Sequence, residues 1–251
     1  MQDTRLWQIF TRFSLKDLRE LAKCVRSPYF NQREYVVVLF DYLRENRNNT
    51  PEKGIAFSLM FRDKSYDDHL MRNAMSLLLQ LIEKYLTIRD FMEDESKTKL
   101  QLSRAYRRMN LEKHYLQSIK RVEVSQQKSD FQNADFYQNE YQLEAERYQW
   151  LSNQNRMAEL NLQEISDNLD LSYITQKLRQ TCFSLSHQAV YPKDYDFGLL
   201  EKMLELLETG KHLDKPAVAV YYYCYRALTQ PVEESFFRKF KSLLLAQAHL
   251  F

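Results

Sequence analysis

"CVRSPYFNQREYVVVLFDYL", residues 24–43, sets two apolar runs on either side of a proline corner, and the reading of "YVVVLF" within it decides the fold class. Three consecutive valines suit a pleated strand. The flanking residues favour a helix: Asn31 stands where an N-cap would, with Glu34 three residues on and Phe30 and Tyr35 spaced as a hydrophobic staple. The apolar pattern runs on through Tyr42 and Leu43, so a helix over about 32–45 is predicted. Upstream, Ser14 and Asp17 have capping-box spacing ahead of Leu18, Leu21, Ala22 and Val25, and Pro28 forbids that helix from continuing. Ser27 is pushed toward an extended conformation by the proline after it. SPYFN is therefore expected to be a corner between two helices.

The same punctuation governs the rest of the chain. Its 251 residues include only three glycines and five prolines, where average usage would supply roughly 30. Hairpins and crossovers need those residues. Here Pro28, Pro51, Pro192, Pro216, Pro231 and Gly210 fall between apolar-periodic segments. An all-α protein is expected. Thr50 and Pro51 read as the cap and first-turn proline of a helix reaching about Phe61. In "YDDHLMRNAMSLLLQLIEKYLTIRDF", 66–91, Asp67 or Asp68 is placed to cap. Leu70, Ala74, Leu77, Leu81 and Tyr85 form one stripe there, with Met71, Met75, Leu78, Ile82 and Leu86 beside it. So wide an apolar arc predicts the central, buried helix of a first domain over 1–92.

From residue 97 onward the pattern becomes a series of helix pairs. A helix over about 97–109 is expected to bury Leu102, Ala105, Tyr106 and Met109, with Asn110 supplying the turn into a helix that buries Tyr115, Ile119 and Val122. Further helices are expected at about 130–152, 155–168, 171–190, 196–208, 216–229 and 232–248. Such hairpins stack as antiparallel pairs in a TPR-like right-handed solenoid over 97–251, although no strict repeat consensus is present. The closing "FFRKFKSLLLAQAHLF" is apolar to its last residue, whereas a solenoid normally finishes with a polar capping helix. Either that helix packs back onto the body or the chain is a fragment of a longer one.

SPYFN, "YPKDYDFGLL" at 191–200 and "PAVAVYYYCYRALT" at 216–229 together resemble a group of uncharacterised Bacteroidetes helical-repeat proteins. That resemblance implies a TPR-like bacterial chain that usually continues well beyond this length, and it brings no activity with it.

No catalytic, cofactor-binding or metal-ligating constellation emerges from the spacing. Gly54, Gly198 and Gly210 each stand alone, so no phosphate-cradling loop is formed. His69, His114, His187, His212 and His249 include no pair spaced to aim two ligands from one helical face. Cys24, Cys182 and Cys224 lie far apart in sequence and suggest neither a disulfide framework nor a zinc ribbon. Glu93, Asp94 and Glu95 read as a linker, and Glu201, Glu205 and Glu208 as a solvated helix face. No apolar run reaches the roughly 18 residues that a membrane span needs. A cytoplasmic, reducing setting is expected, with no cofactor, no metal and no membrane partner.

Charge is the one pattern above background. Residues 97–128 carry nine Lys or Arg against two acidic residues, and 129–170 carry two against nine, balances of +7 and −7. Adjacent hairpins would place these segments side by side, so mutual neutralisation is the plain reading. The functional reading is a basic face for an acidic partner or a phosphate backbone, made of Lys97, Arg104, Arg107, Arg108, Lys113, Lys120 and Arg121. On this basis the chain is expected to be a non-enzymatic scaffold that binds another protein. The alternative is a nucleic-acid-associated regulator, using either that basic face or a winged-helix-like first domain around "FSLMFRDKSYDDHLMRNAMSLLLQL" at 57–81. Against the latter, its second helix would open on Asp67 and Asp68, an acidic tip where a recognition helix meets DNA.

Overall fold

The computed structural model describes residues 1–129, 132–154, 159–246 and 248. Among them there are twelve α-helices and no strand, so the all-α expectation holds and "YVVVLF" is helical. The chain divides into two compact units, Met1–Asp94 and Glu95–Phe251.

The first unit runs α1 Arg5–Phe10, α2 Leu15–Val25, α3 Glu34–Glu45, α4 Lys53–Met60 and α5 Asp68–Glu93. The capping box of α2 is formed: Asp17 N–H donates to Ser14 Oγ at 3.1 Å, and Ser14 N–H donates to Asp17 Oδ2 at 3.0 Å. Asp67 caps α5 by accepting from the backbone of His69 and Leu70. α5 packs on α1, α2 and α3, and Met71, Ala74, Leu78 and Ile82 on it are fully buried. Phe10 and Phe40 meet edge to face at 5.8 Å in the same core.

Two expected caps are corrected. Asn31 does not cap α3, whose N-cap is Arg33 without a side-chain bond. Asn31 instead accepts from Arg33 N–H and donates to the Val25 carbonyl at 2.9 Å. The side chain thereby satisfies an orphan carbonyl at the end of α2 and ties the corner together. Thr50 and Pro51 likewise lie just before α4, whose N-cap is Glu52, and the Thr50 hydroxyl accepts from Gln2 at 2.8 Å. α1, capped by Thr4, was not anticipated because its single turn and a half is too short to establish a period.

The second unit runs α6 Glu95–Arg108, α7 Glu112–Gln127, α8 Ala134–Gln154, α9 Leu162–Gln188, α10 Leu200–Glu208, α11 Pro216–Thr229 and α12 Glu234–Ala246. Consecutive helices pair most closely, α6 with α7, α8 with α9 and α11 with α12, and α11 also lies along α9. Asn110 turns the chain between α6 and α7 at φ 57°, a left-handed conformation that asparagine tolerates better than most residues. Gly210, at φ 87°, follows α10 in the place where glycine ends a helix without a Cβ clash.

The helices expected at about 155–168 and 171–190 are one helix. Residues 155–158 lie outside the described residues, and from Leu162 onward α9 runs unbroken through Leu169 and Asp170. No glycine or proline stands between the two expected segments, so nothing interrupts the ladder. Residues 130 and 131, at the expected start of α8, and residues 247 and 249–251, His249 among them, also lie outside the described residues.

The buried face of α6 differs from the expected one. Leu102 and Met109 are 42% and 66% exposed, and the residues that point inward are Leu100 and Ser103. The inward stripe contains polar groups that find partners, with the Ser103 hydroxyl donating to Ser118 Oγ at 2.8 Å. Removing a large aliphatic group from the first unit's core should be costly. Leu78→Ala is expected to lower stability by about 2–5 kcal/mol, measured by urea unfolding followed by circular dichroism; a loss under about 1 kcal/mol would mean that α5 is not the core helix.

Candidate functional site

The basic segment is carried by α6 and α7, and the shifted face of α6 decides which of its cations are exposed. Arg107 sits one turn beyond Ser103 on the inward stripe, with its side chain 18% exposed. It meets Glu146 of α8 in a two-pronged pair, Nε to Oε1 at 2.6 Å and Nη2 to Oε2 at 3.2 Å. Arg104 approaches the same carboxylate at 3.5 Å. Glu146 itself is 3% exposed. Its hydrogen bonds, and then its charge, hold the Arg107 guanidinium more firmly protonated than usual.

Around that ion cluster the packing is aromatic. Tyr115 stacks on Trp150 with ring centroids 4.3 Å apart and donates its hydroxyl to the Glu146 carbonyl at 3.3 Å. Burial pushes the Tyr115 phenol well above its ordinary range. Further along α8, Arg147 pairs with Glu123 of α7 and with Glu144. Burial, with Glu144 nearby, raises the carboxyl of Glu140. Mutual neutralisation of the +7 and −7 segments is therefore real on the side where α8 faces α6 and α7.

The other cations of the segment lie elsewhere. Lys120 and Arg121 line an open groove of about 740 Å³ together with Lys99, Gln117, Val124, Ser125 and Lys128. Lys99 is half-buried and bonds Glu95 at 2.8 Å. Lys120, Arg121 and Lys128 have no ion-pair partner among the described residues. Lys97 is exposed in the first turn of α6, and Arg108 and Lys113 are exposed on either side of the Asn110 turn; none of these three lines the groove. The expected seven-residue face thus divides into two clamped arginines, three peripheral cations and two groove residues. Lys99 and Lys128 were missed. Both lie in the basic segment; Lys99 falls beside the inward Leu100 and Ser103 of α6, and Lys128 just past the end of α7.

The groove offers positive charge and an apolar spot at Val124, 39% exposed, with amide and hydroxyl groups from Gln117 and Ser125. It has the means to hold an anionic group, and among the described residues its lining contains no carboxylate, histidine or thiol. Among the described residues no group of three or more His, Cys, Asp or Glu side chains could hold a metal ion, and no helix is long and apolar enough to cross a membrane. Tyr222 of "VYYYCY" is buried, and Tyr221, Tyr223 and Tyr225 pack against the same core. Comparison with protein-family models, with curated proteins and with solved structures gave no match.

The two halves of the basic segment should respond differently to truncation. Arg107→Ala leaves a buried carboxylate with a single, more distant partner and is expected to cost about 3 kcal/mol or more, whereas Arg121→Ala should stay within about 0.5 kcal/mol of the parent. Chemical unfolding of the two variants checks both. Equal costs would mean that the segment is not divided in this way.

Proposed function

We propose that the chain is a non-enzymatic helical-repeat protein, its second unit a TPR-like solenoid of antiparallel helix pairs, that acts as a scaffold by holding an acidic segment of a partner protein in the α6–α7 groove. The observation that carries this reading is the contrast within one basic segment. Arg104 and Arg107 are engaged by Glu146, while Lys120, Arg121 and Lys128 face the groove with no ion-pair partner among the described residues. Like charges gathered on one wall repel one another, and an acidic ligand relieves that repulsion and steers its own approach. The pairwise packing of α6 with α7, α8 with α9 and α11 with α12 supports the repeat architecture.

A phosphate backbone would meet the same cations, which keeps nucleic acid as the second reading. Among the described residues the groove lining contains no aromatic ring on which bases could stack. Among the described residues there is no strand to form a wing in the first unit, so a nucleic-acid reading rests on the basic face alone.

Fluorescence anisotropy of a labelled glutamate-rich peptide titrated with the full chain tests the proposal, with single-stranded DNA of matched charge in parallel. The peptide is expected to bind at low salt, to weaken about tenfold or more between 50 and 200 mM salt, and to lose binding in the triple variant Lys120→Glu, Arg121→Glu, Lys128→Glu. Absence of peptide binding at low salt, or binding indifferent to the triple reversal, would overturn the groove assignment. Tighter capture of the DNA, abolished by the same reversal, would replace the scaffold reading with the nucleic-acid one.

A further inference from the structure

Cys182 and Cys224 are 42 positions apart in the sequence, yet the fold brings their side chains together. Cys182 lies on α9 and Cys224 on α11, two helices packed along each other. The Cys182 thiol is 6% exposed and donates to the Tyr221 carbonyl at 3.5 Å. Tyr221 lies one helical turn before Cys224, and a helix carbonyl points toward the C-terminus, so this contact sets the Cys182 sulfur beside the Cys224 side chain. The two thiols are near enough for each to shift the titration of the other. Cys224 is half-buried, and both cysteines are free thiols.

We propose that Cys182 and Cys224 form a reversible intrachain disulfide, an oxidation site that takes a small-molecule disulfide such as oxidised glutathione as its co-substrate and fastens α9 to α11.

The two thiols are unequal in a way that assigns their roles. The neighbouring Cys182 lowers the pKa of Cys224, while Cys224 and burial raise the pKa of Cys182. Cys224 is also the more accessible sulfur, so it attacks first. Its thiolate displaces one glutathione thiolate from oxidised glutathione and becomes a mixed disulfide. Cys182 then gives up its proton to solvent and attacks the Cys224 sulfur, releasing the second glutathione. Two protein thiols have lost two electrons, the oxidant has gained them, and the two protons end on the released glutathione thiols. Cys24, in the first unit, has its thiol raised by burial and serves as an internal control.

The oxidised linkage closes a loop that contains α10, which restricts the unfolded chain more than the folded one. The full chain is incubated with oxidised glutathione, denatured, alkylated and mapped by mass spectrometry. The expected result is loss of two of the three alkylatable thiols, a Cys182–Cys224 cross-linked peptide, and a melting temperature raised by about 5 °C or more that dithiothreitol reverses. The variant Cys182→Ser should stop at a single glutathione on Cys224. Three thiols remaining alkylatable, a glutathione persisting on Cys224 of the parent chain, or a cross-link through Cys24 would each overturn the proposal. The map of the parent chain decides the matter even if the serine variant fails to fold.

Discussion

The second unit is organised around the buried carboxylate of Glu146. Glu146 lies at a depth where an unpaired charge would cost several kcal/mol, and it is tolerated there because Arg107 meets it with two aligned hydrogen bonds and Arg104 stands behind. That requirement turns Arg107 inward, and with it the whole stripe of α6 that includes Leu100 and Ser103. The turn of α6 then leaves Lys120, Arg121 and Lys128 with no ion-pair partner among the described residues. A free groove and a clamped core are two consequences of one ion cluster.

Most of the fold was legible in the sequence because its local signals agree with one another. The Ser14–Asp17 capping box, the Asp67 cap, the double stripe from Leu70 to Leu86 and the proline at the start of α11 each give the same answer at the level of propensity and of packing. Two of the failures involve polar side chains that turn back toward the protein. Asn31 looks like a cap by its spacing, but a side chain with both donor and acceptor can serve the carbonyl behind it instead. Leu102 and Met109 look like a buried stripe by hydropathy, yet the inward face of α6 is partly polar, and pattern reading treats serine and arginine as solvent-facing by default.

The candidate surface was legible only as a quantity of charge. The balance of +7 against −7 identifies where the electrostatics are concentrated, and it cannot say which lysine meets which glutamate, since that depends on helix rotation by a few tens of degrees. Lys120 and Arg121 of the expected face line the groove, while Lys99 and Lys128 enter through geometry alone. The approach of Cys182 to Cys224 was invisible for the same reason. It is a property of how α11 lies against α9, and nothing in the spacing of cysteines along the chain encodes it.

The claim on which the rest depends is that Arg107 and Glu146 act as one unit in the folded core. A double-mutant cycle with Arg107→Met and Glu146→Gln, read by chemical unfolding at neutral pH, measures this directly. The account predicts a coupling energy of about 1.5 kcal/mol or more, the double variant being far less destabilised than the sum of the singles. Additivity within about 0.5 kcal/mol would mean that the pair does not set the rotation of α6, and the division of the basic segment would lose its physical basis.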